Sequence, residues 1–214
     1  MIKMQGLIFD LDGTLIDSSG DIASALNVTL KQLGLPEKSL LEVQSIVGDG
    51  VRILMGRAIG KKDDLLLEKA IKIFKEYYLH HCVDNTALYP GVKEILKKYK
   101  EKKLGVVSNK PYPMVIKTLQ HFSLENVFTV VLGAESTEQK KPHPQPFLEA
   151  IKKMSVPPSH TLVIGDGTTD MEGGHAAGMK TCAVTYGYRS KKELEKFKPD
   201  FFIDKLEDLE KIIV

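Results

Sequence analysis

The sequence predicts an α/β fold: a doubly wound parallel sheet whose first strand is followed at once by an inserted run of helices. Short apolar runs at Leu7-Ile8-Phe9, Leu104-Gly105-Val106-Val107 and Thr161-Leu162-Val163-Ile164 have the composition of strands covered on both faces, as a parallel sheet requires. From Tyr89 onward such runs alternate with segments of helical periodicity, the pattern of βαβ units. Between Ile16 and Asn85, by contrast, apolar residues recur at helical spacing and no strand candidate interrupts them.

The first strand ends where the first polar residue, Asp10, arrives. Ligands of open parallel sheets bind just outside the carboxyl ends of the strands, which puts Asp10 on a binding rim. Gly13 permits a tight turn, and Asp12 points from that turn toward the same space. In the insertion, Ile22, Ala25, Leu26, Thr29, Leu30 and Leu33 mark an amphipathic helix that stops at Gly34 and Pro36. Ser39-Leu40-Leu41-Glu42 has capping-box spacing for a second helix. Gly48-Asp49-Gly50 breaks that helix, Val51, Leu54, Met55 and Ala58 resume the periodicity, and Leu67, Ala70, Ile71, Phe74 and Tyr78 share one face of a last helix. The expected division is a core of residues 1–15 and 86–214 and a helical cap of residues 16–85, about the size of a small domain, hinged near Asp17 and Thr86.

In the second half a helix carries Val92, Ile95, Leu96 and Tyr99, and the strand ending at Val107 leads into Ser108-Asn109-Lys110. A helix from Pro113, a strand over Val127 to Leu132 and a helix from Pro146 to Met154 come next. The strand ending at Ile164 leads into Gly165-Asp166, strands follow over Lys180 to Thr185 and Phe201 to Ile203, and a helix over Leu206 to Val214 closes the chain. Across 214 residues the net charge is +2, so no field for a polyanion is present and no nucleic-acid partner is expected. No apolar stretch approaches membrane-spanning length, which predicts no membrane partner and a cytoplasmic location. Cys82 and Cys182 are isolated from each other and from any metal-ligand spacing, the usage of free thiols in a reducing compartment. The chain is expected as a monomer or a homodimer.

Two close carboxylates repel, and a divalent cation is the simplest compensation. The chemistry that wants Asp10 and Asp12 side by side is phosphoryl transfer through a covalent intermediate. Asp10 attacks phosphorus, while Asp12 protonates the leaving oxygen and then activates the hydrolytic water. The string Asp10-Leu11-Asp12-Gly13-Thr14-Leu15 resembles the first motif of the haloacid dehalogenase superfamily, D-x-D-G-T-[LV]. That resemblance implies a Rossmann-like core, with Thr14 beside the substrate. Ser108 and Asn109 are expected to donate to phosphate oxygens, and Lys141, in Lys140-Lys141-Pro142-His143-Pro144, to offset the developing charge. The resemblance selects Lys141 over Lys140 because the family lysine directly precedes the proline.

Gly165-Asp166-Gly167-Thr168-Thr169-Asp170 matches the superfamily pattern G-D-x-x-x-D, with Gly167 where the family more often has Ser or Thr. Hard oxygen ligands in this density suit Mg2+, held by Asp10, the main-chain carbonyl of Asp12 and Asp166, with Asp170 behind them or reaching the ion through water. Asp12 argues for a phosphatase over a dehalogenase, which needs no leaving-group proton. Gly165-Asp166 departs from the Glu-Asp pair of the sugar phosphomutases. The cap string Ile46 to Leu54 resembles that of bacterial phosphoglycolate phosphatases, which implies 2-phosphoglycolate or a similar small phosphate ester as substrate. Gly48, Gly50 and Arg52 would then take its carboxylate. A nucleotidase, a pyrophosphatase and a phosphomutase of the same superfamily stay open. So does a phosphoacceptor signalling domain, although such receivers carry their Asp after a middle strand and have no helical insertion.

Overall fold

A six-stranded parallel sheet organises the structure, a computed structural model that describes residues 1–60 and 63–214. Its strands are β1 (Gly6–Phe9), β4 (Lys103–Val107), β5 (Val130–Leu132), β6 (Thr161–Gly165), β7 (Lys180–Val184) and β8 (Phe201–Ile203), in the spatial order β5-β4-β1-β6-β7-β8. Helices α5 (Val92–Lys98), α6 (Tyr112–His121), α7 (Gln145–Met154), α8 (Thr168–Ala176), α9 (Lys191–Glu195) and α10 (Leu209–Ile212) connect or follow them. The chain builds outward from β1 in one direction through β4 and β5, then returns to β1 and builds the other way through β6. A reversal of that kind opens a crevice at the carboxyl ends of the two strands that flank it. Phe9 pairs with Val106 on one side and Ile164 on the other, so Asp10 and Asp166 emerge side by side in that crevice.

Strand alternation decides which layer each residue joins. Leu7 and Phe9 pack with Leu104, Val106, Leu162 and Ile164 beneath α5 and α6, while Ile8, Val107 and Val163 face the opposite layer with Phe147 and Ile151 of α7. Both faces are therefore dry, which explains why the strands read as unbroken apolar runs. Helix α8 lies so close to the sheet that a Cβ on Gly174 would stand 2.8 Å from the Thr181 side chain. Close packing, and not helix propensity, accounts for the glycine there.

Helices α1 (Ser19–Gln32), α2 (Leu40–Ile46), α3 (Val51–Ile59) and α4 (Asp64–His81) form the insertion. They bury their own cluster, including Leu26, Leu30, Val43, Met55, Phe74 and Tyr78, to which the core contributes Met114. The capping box expected at Ser39 is present, with Glu42 as its partner. Two short strands depart from the expectation of an all-helical insertion. β2 (Ile16–Asp17) pairs antiparallel with β3 (Ala87–Leu88) where the chain leaves and re-enters the core. Two residues are too few for a period-two pattern to show in sequence. Beside this ribbon the buried Asp21 carboxylate accepts hydrogen bonds from the Asn85 N–H at 2.9 Å, the Thr86 N–H at 2.9 Å and the Thr86 hydroxyl at 2.7 Å, fastening the two crossings together. Two further expectations shrink: the strand read over Val127 to Leu132 is confined to β5, and the terminal helix is a 3-10 turn, Leu206–Asp208, followed by α10.

Candidate active site

The turn after β1 places Asp10 and Asp12, and the carboxylates around them come from β6 and α8. Asp10 donates its main-chain N–H to the Ile164 carbonyl at 2.9 Å, which continues the sheet one residue past the strand. Its Oδ1 accepts from the Leu11 N–H at 2.6 Å and lies 3.0 Å from Lys141 Nζ. These contacts engage Oδ1, and Oδ2 has no protein partner among the described residues. Gly13 has φ +83, and a Cβ there would stand 2.2 Å from Asp166 Oδ2, so only glycine lets the turn approach that carboxylate.

Carboxylate oxygens of Asp10, Asp166 and Asp170 lie within 4.8 Å of one another, and all three residues are buried. One cation answers them: Lys141 Nζ is 2.6 Å from Asp170 and 3.0 Å from Asp10. Burial alone would lower the Lys141 pKa, but Asp10 and Asp170 raise it, so the ammonium stays charged. Three carboxylates against one ammonium leave negative charge uncompensated. Burial, reinforced by Asp10, accordingly pushes Asp166 up to about 7, and burial raises Asp170 as well. A cluster of hard oxygens that would otherwise hold a proton fits a divalent cation. Asp10, Asp166 and Asp170 each bring a carboxylate oxygen within reach of one such ion. Asp166 accepts only from neutral donors, the Thr14 hydroxyl and the Tyr188 N–H, whereas Asp170 is paired with the Lys141 ammonium through Oδ1 and accepts the Gly167 N–H at 3.0 Å through Oδ2, which suits it to supporting the site from behind.

Asp12 is held differently. Its Oδ1 accepts from the Ser18 hydroxyl at 2.5 Å and from Lys110 Nζ at 2.7 Å. Lys110 in turn donates to the Tyr78 hydroxyl on α4 at 2.6 Å, so insertion and core meet over this carboxylate. Among the described residues, Asp10, Asp12, Ser108, Asn109, Lys110 and Tyr78 line one chamber with a free volume of about 50 Å³, bounded on the insertion side by Ile22, Val47, Val51, Leu54 and Phe74. Gly48 and Gly50 also line it.

Of the residues read from sequence as substrate contacts, Asn109 lines the chamber with its side chain committed to other partners, while Thr14 and Arg52 do not line it. Thr14 is fully buried, and its hydroxyl is committed to Asp166, so it positions that carboxylate instead of facing a ligand. The Asn109 side chain accepts from the Lys141 N–H at 3.1 Å and donates to the carbonyls of Lys141 and Gly48, each at 3.0 Å, which ties the lysine loop to the insertion. Arg52 pairs with Glu68, lines an adjoining groove between insertion and core with Glu135 and Lys140, and does not line the chamber. Val51 lines the chamber, and the next residue of an α-helix points about 100° away, which turns Arg52 aside.

Sequence reasoning passed over Ser18, Tyr78, Lys110, Tyr188 and Arg189. The Tyr188 N–H donates to Asp166 Oδ2 at 2.8 Å, and Arg189 donates to the carbonyls of Gln44 and Val47 on the insertion. A signal for this pair existed: Tyr186 to Arg189 follow β7, another strand whose carboxyl end opens on the crevice.

A model of the haloacid dehalogenase-like hydrolase family matches residues 7–184. The phosphoglycolate phosphatase of Aquifex aeolicus is 37% identical over 212 residues, covering 98% of this chain and 97% of that relative. That of Escherichia coli strain K12 is 33% identical over 229 residues, covering 96% and 91%. A crystal structure from Haemophilus somnus 129pt, described as a predicted phosphoglycolate phosphatase, superposes with a TM-score of 0.92 at 33% identity and covers 99% of each chain. No described helix is long and apolar enough to cross a membrane.

Proposed function

This chain belongs to the haloacid dehalogenase-like hydrolases, and from that premise we propose that it is a magnesium-dependent phosphate monoester hydrolase acting through an aspartyl phosphate on Asp10. The observation that carries the reading is the division of labour between two neighbouring carboxylates. Asp10 is anchored through Oδ1 to Lys141 with Oδ2 open, while Asp12 is held by Ser18 and Lys110 at the wall of the chamber. Asp10 Oδ2 forms a bond to phosphorus as the bond to the ester oxygen breaks, and Asp12 gives its proton to that oxygen. Asp12 then takes a proton from water. The resulting hydroxide displaces Asp10 from phosphorus, releasing phosphate and restoring the Asp10 carboxylate and the protonated Asp12.

Lys141 holds Asp10 in position and keeps a positive charge beside the phosphoryl oxygens throughout. Ser108 lines the chamber beside Asp10 and offers a hydroxyl to those oxygens. Magnesium, when held by Asp10, Asp166 and the Asp12 carbonyl, supplies the remaining positive charge against the phosphoryl group. The insertion acts as a cap: its apolar wall excludes water from the chamber during transfer. As substrate we propose 2-phosphoglycolate, on the names of the similar enzymes and the small size of the chamber. The free, buried state of Cys82 and Cys182 agrees with a cytoplasmic setting.

Phosphate release from a panel of small monoesters, with magnesium and with excess chelator, tests this. The expected result is magnesium-dependent turnover, fastest on 2-phosphoglycolate. Turnover undiminished in chelator, or none on any ester, would refute it.

A further inference from the structure

Lys110 is a buried cation whose hydrogen bonds to protein do not exhaust its capacity. Its side chain is 2% exposed, and among the described residues it bonds only Asp12 at 2.7 Å and the Tyr78 hydroxyl at 2.6 Å. A lysine ammonium carries three donors, so one N–H is unspent. Tyr78 accepts from Lys110 and has no acceptor for its own proton among the described residues, so the phenol O–H is unspent too. Both residues line the chamber next to Asp12. The other chamber residues offer no guanidinium or second ammonium: Arg52 lies outside it, Lys141 is occupied by Asp10 and Asp170, and Lys140 donates to the Asp49 carbonyl at 2.6 Å. Burial alone would lower the Lys110 pKa, but Asp12 and Tyr78 raise it, so the charge persists facing the apolar wall of the chamber.

We propose that Lys110 and Tyr78 are the specificity-determining pair of the chamber, the two donors that receive a carboxylate carried one carbon beyond the ester carbon of the substrate. The inference rests on the reading of Asp12 as the acid for the ester oxygen. Lys110 is in direct contact with Asp12, so an anion two bonds from that oxygen falls beside the ammonium, whereas a longer acid carries its carboxylate past it. A carboxylate accepts two donors at once, and the ammonium and the phenol supply them as a charge-assisted pair. The apolar wall of Val47, Val51, Leu54 and Phe74 strengthens the contact by excluding water, and makes entry of an unpaired carboxylate costly. This assigns to the core and to α4 the recognition that the sequence suggested for Arg52.

The test compares 2-phosphoglycolate with ethylene glycol monophosphate, the same ester with a hydroxymethyl group in place of the carboxylate. The variants are Lys110→Met, Tyr78→Phe and, as the control outside the chamber, Arg52→Ala. Lys110→Met loses kcat on both esters because it also strips Asp12 of a partner, so the readout is the preference, the ratio of the two kcat/KM values. The preference is expected to fall about tenfold to a hundredfold in Lys110→Met, mainly through KM for 2-phosphoglycolate, and about threefold to tenfold in Tyr78→Phe, which retains the ammonium and tests the pair if Lys110→Met fails to fold. Arg52→Ala is expected to leave the preference intact. Equal losses on both esters in both variants, or a preference lost in Arg52→Ala alone, overturn the proposal. Wild-type protein that hydrolyses both esters without preference also overturns it while leaving the phosphatase reading standing. Hydrolysis of neither ester overturns the proposal, and the phosphatase reading falls with it only if no other ester of the panel is turned over.

Discussion

The hydroxyl of Thr14 accepts the main-chain N–H of Asp166 at 3.0 Å and donates to its carboxylate at 3.1 Å, so one side chain from the first loop fixes both the backbone and the charge of the fourth. Groups that orient a metal ligand are worth roughly tenfold to a hundredfold in metal affinity. Thr14→Val is therefore expected to weaken magnesium activation by about that factor, with a smaller loss of kcat at saturating metal. Thr14→Ser, which keeps the hydroxyl, should stay near wild type. Magnesium titration of activity measures both, and an unchanged metal requirement in Thr14→Val would show that the contact does not position Asp166.

Donors from the core converge on one stretch of the insertion's backbone. Arg189 donates to the carbonyls of Gln44 and Val47, Asn109 to Gly48 and Lys140 to Asp49. Removing Arg189 from an unbroken fold should favour the open arrangement. Arg189→Ala is expected to speed amide hydrogen exchange over residues 44–50 and to raise KM about threefold to tenfold, with little change in melting temperature. Exchange over that stretch equal to wild type would exclude the latch.

Metal-free stability should depend on pH with a defined sign. Burial first, and Asp10 next, raise Asp166 from 3.8 to about 7 in the folded protein. Between those values the unfolded chain has released the proton that the folded chain retains, so folding must keep it protonated or pay to ionise it. Stability contributed by the protonated form is present below the unfolded pKa and is lost as pH rises through the folded one. Magnesium binds the ionised cluster and competes with that proton. Thermal unfolding at about pH 5.5 and pH 8, in chelator and in magnesium, should show the larger magnesium-induced stabilisation at the higher pH. A shift as large at the lower pH would contradict the assignment of the cluster as the metal site.

Much of the fold was legible because parallel strands buried on both faces leave unbroken apolar runs, and Asp10 and Asp166 stood where two such runs stopped. Lys141 was singled out by its place before Pro142, and its distance from Asp10 then followed from the topology. What sequence could not supply was side-chain direction around a helix and pairing between remote segments. Arg52 and Val51 differ by one step along α3, yet one meets Glu68 outside and the other lines the chamber. Lys110 and Tyr78 lie on separate elements, and only the packing of α4 against the core brings them to 2.6 Å. The ribbon of Ile16–Asp17 with Ala87–Leu88 was hidden for a simpler reason, since strands of that length carry no period.

The covalent step on Asp10 is the centre of the account, and trapping it is the most direct measurement. Protein turning over 2-phosphoglycolate with magnesium is quenched in acid, reduced with borohydride and digested, and the peptide containing residues 6–15 is sequenced by mass spectrometry. An acyl phosphate on Asp10 is reduced to homoserine, so the account predicts homoserine at position 10 in wild type and none in Asp10→Asn, which should fold normally and have no measurable turnover. An unmodified Asp10 in quenched, actively turning-over enzyme together with persistent hydrolysis by Asp10→Asn would contradict it.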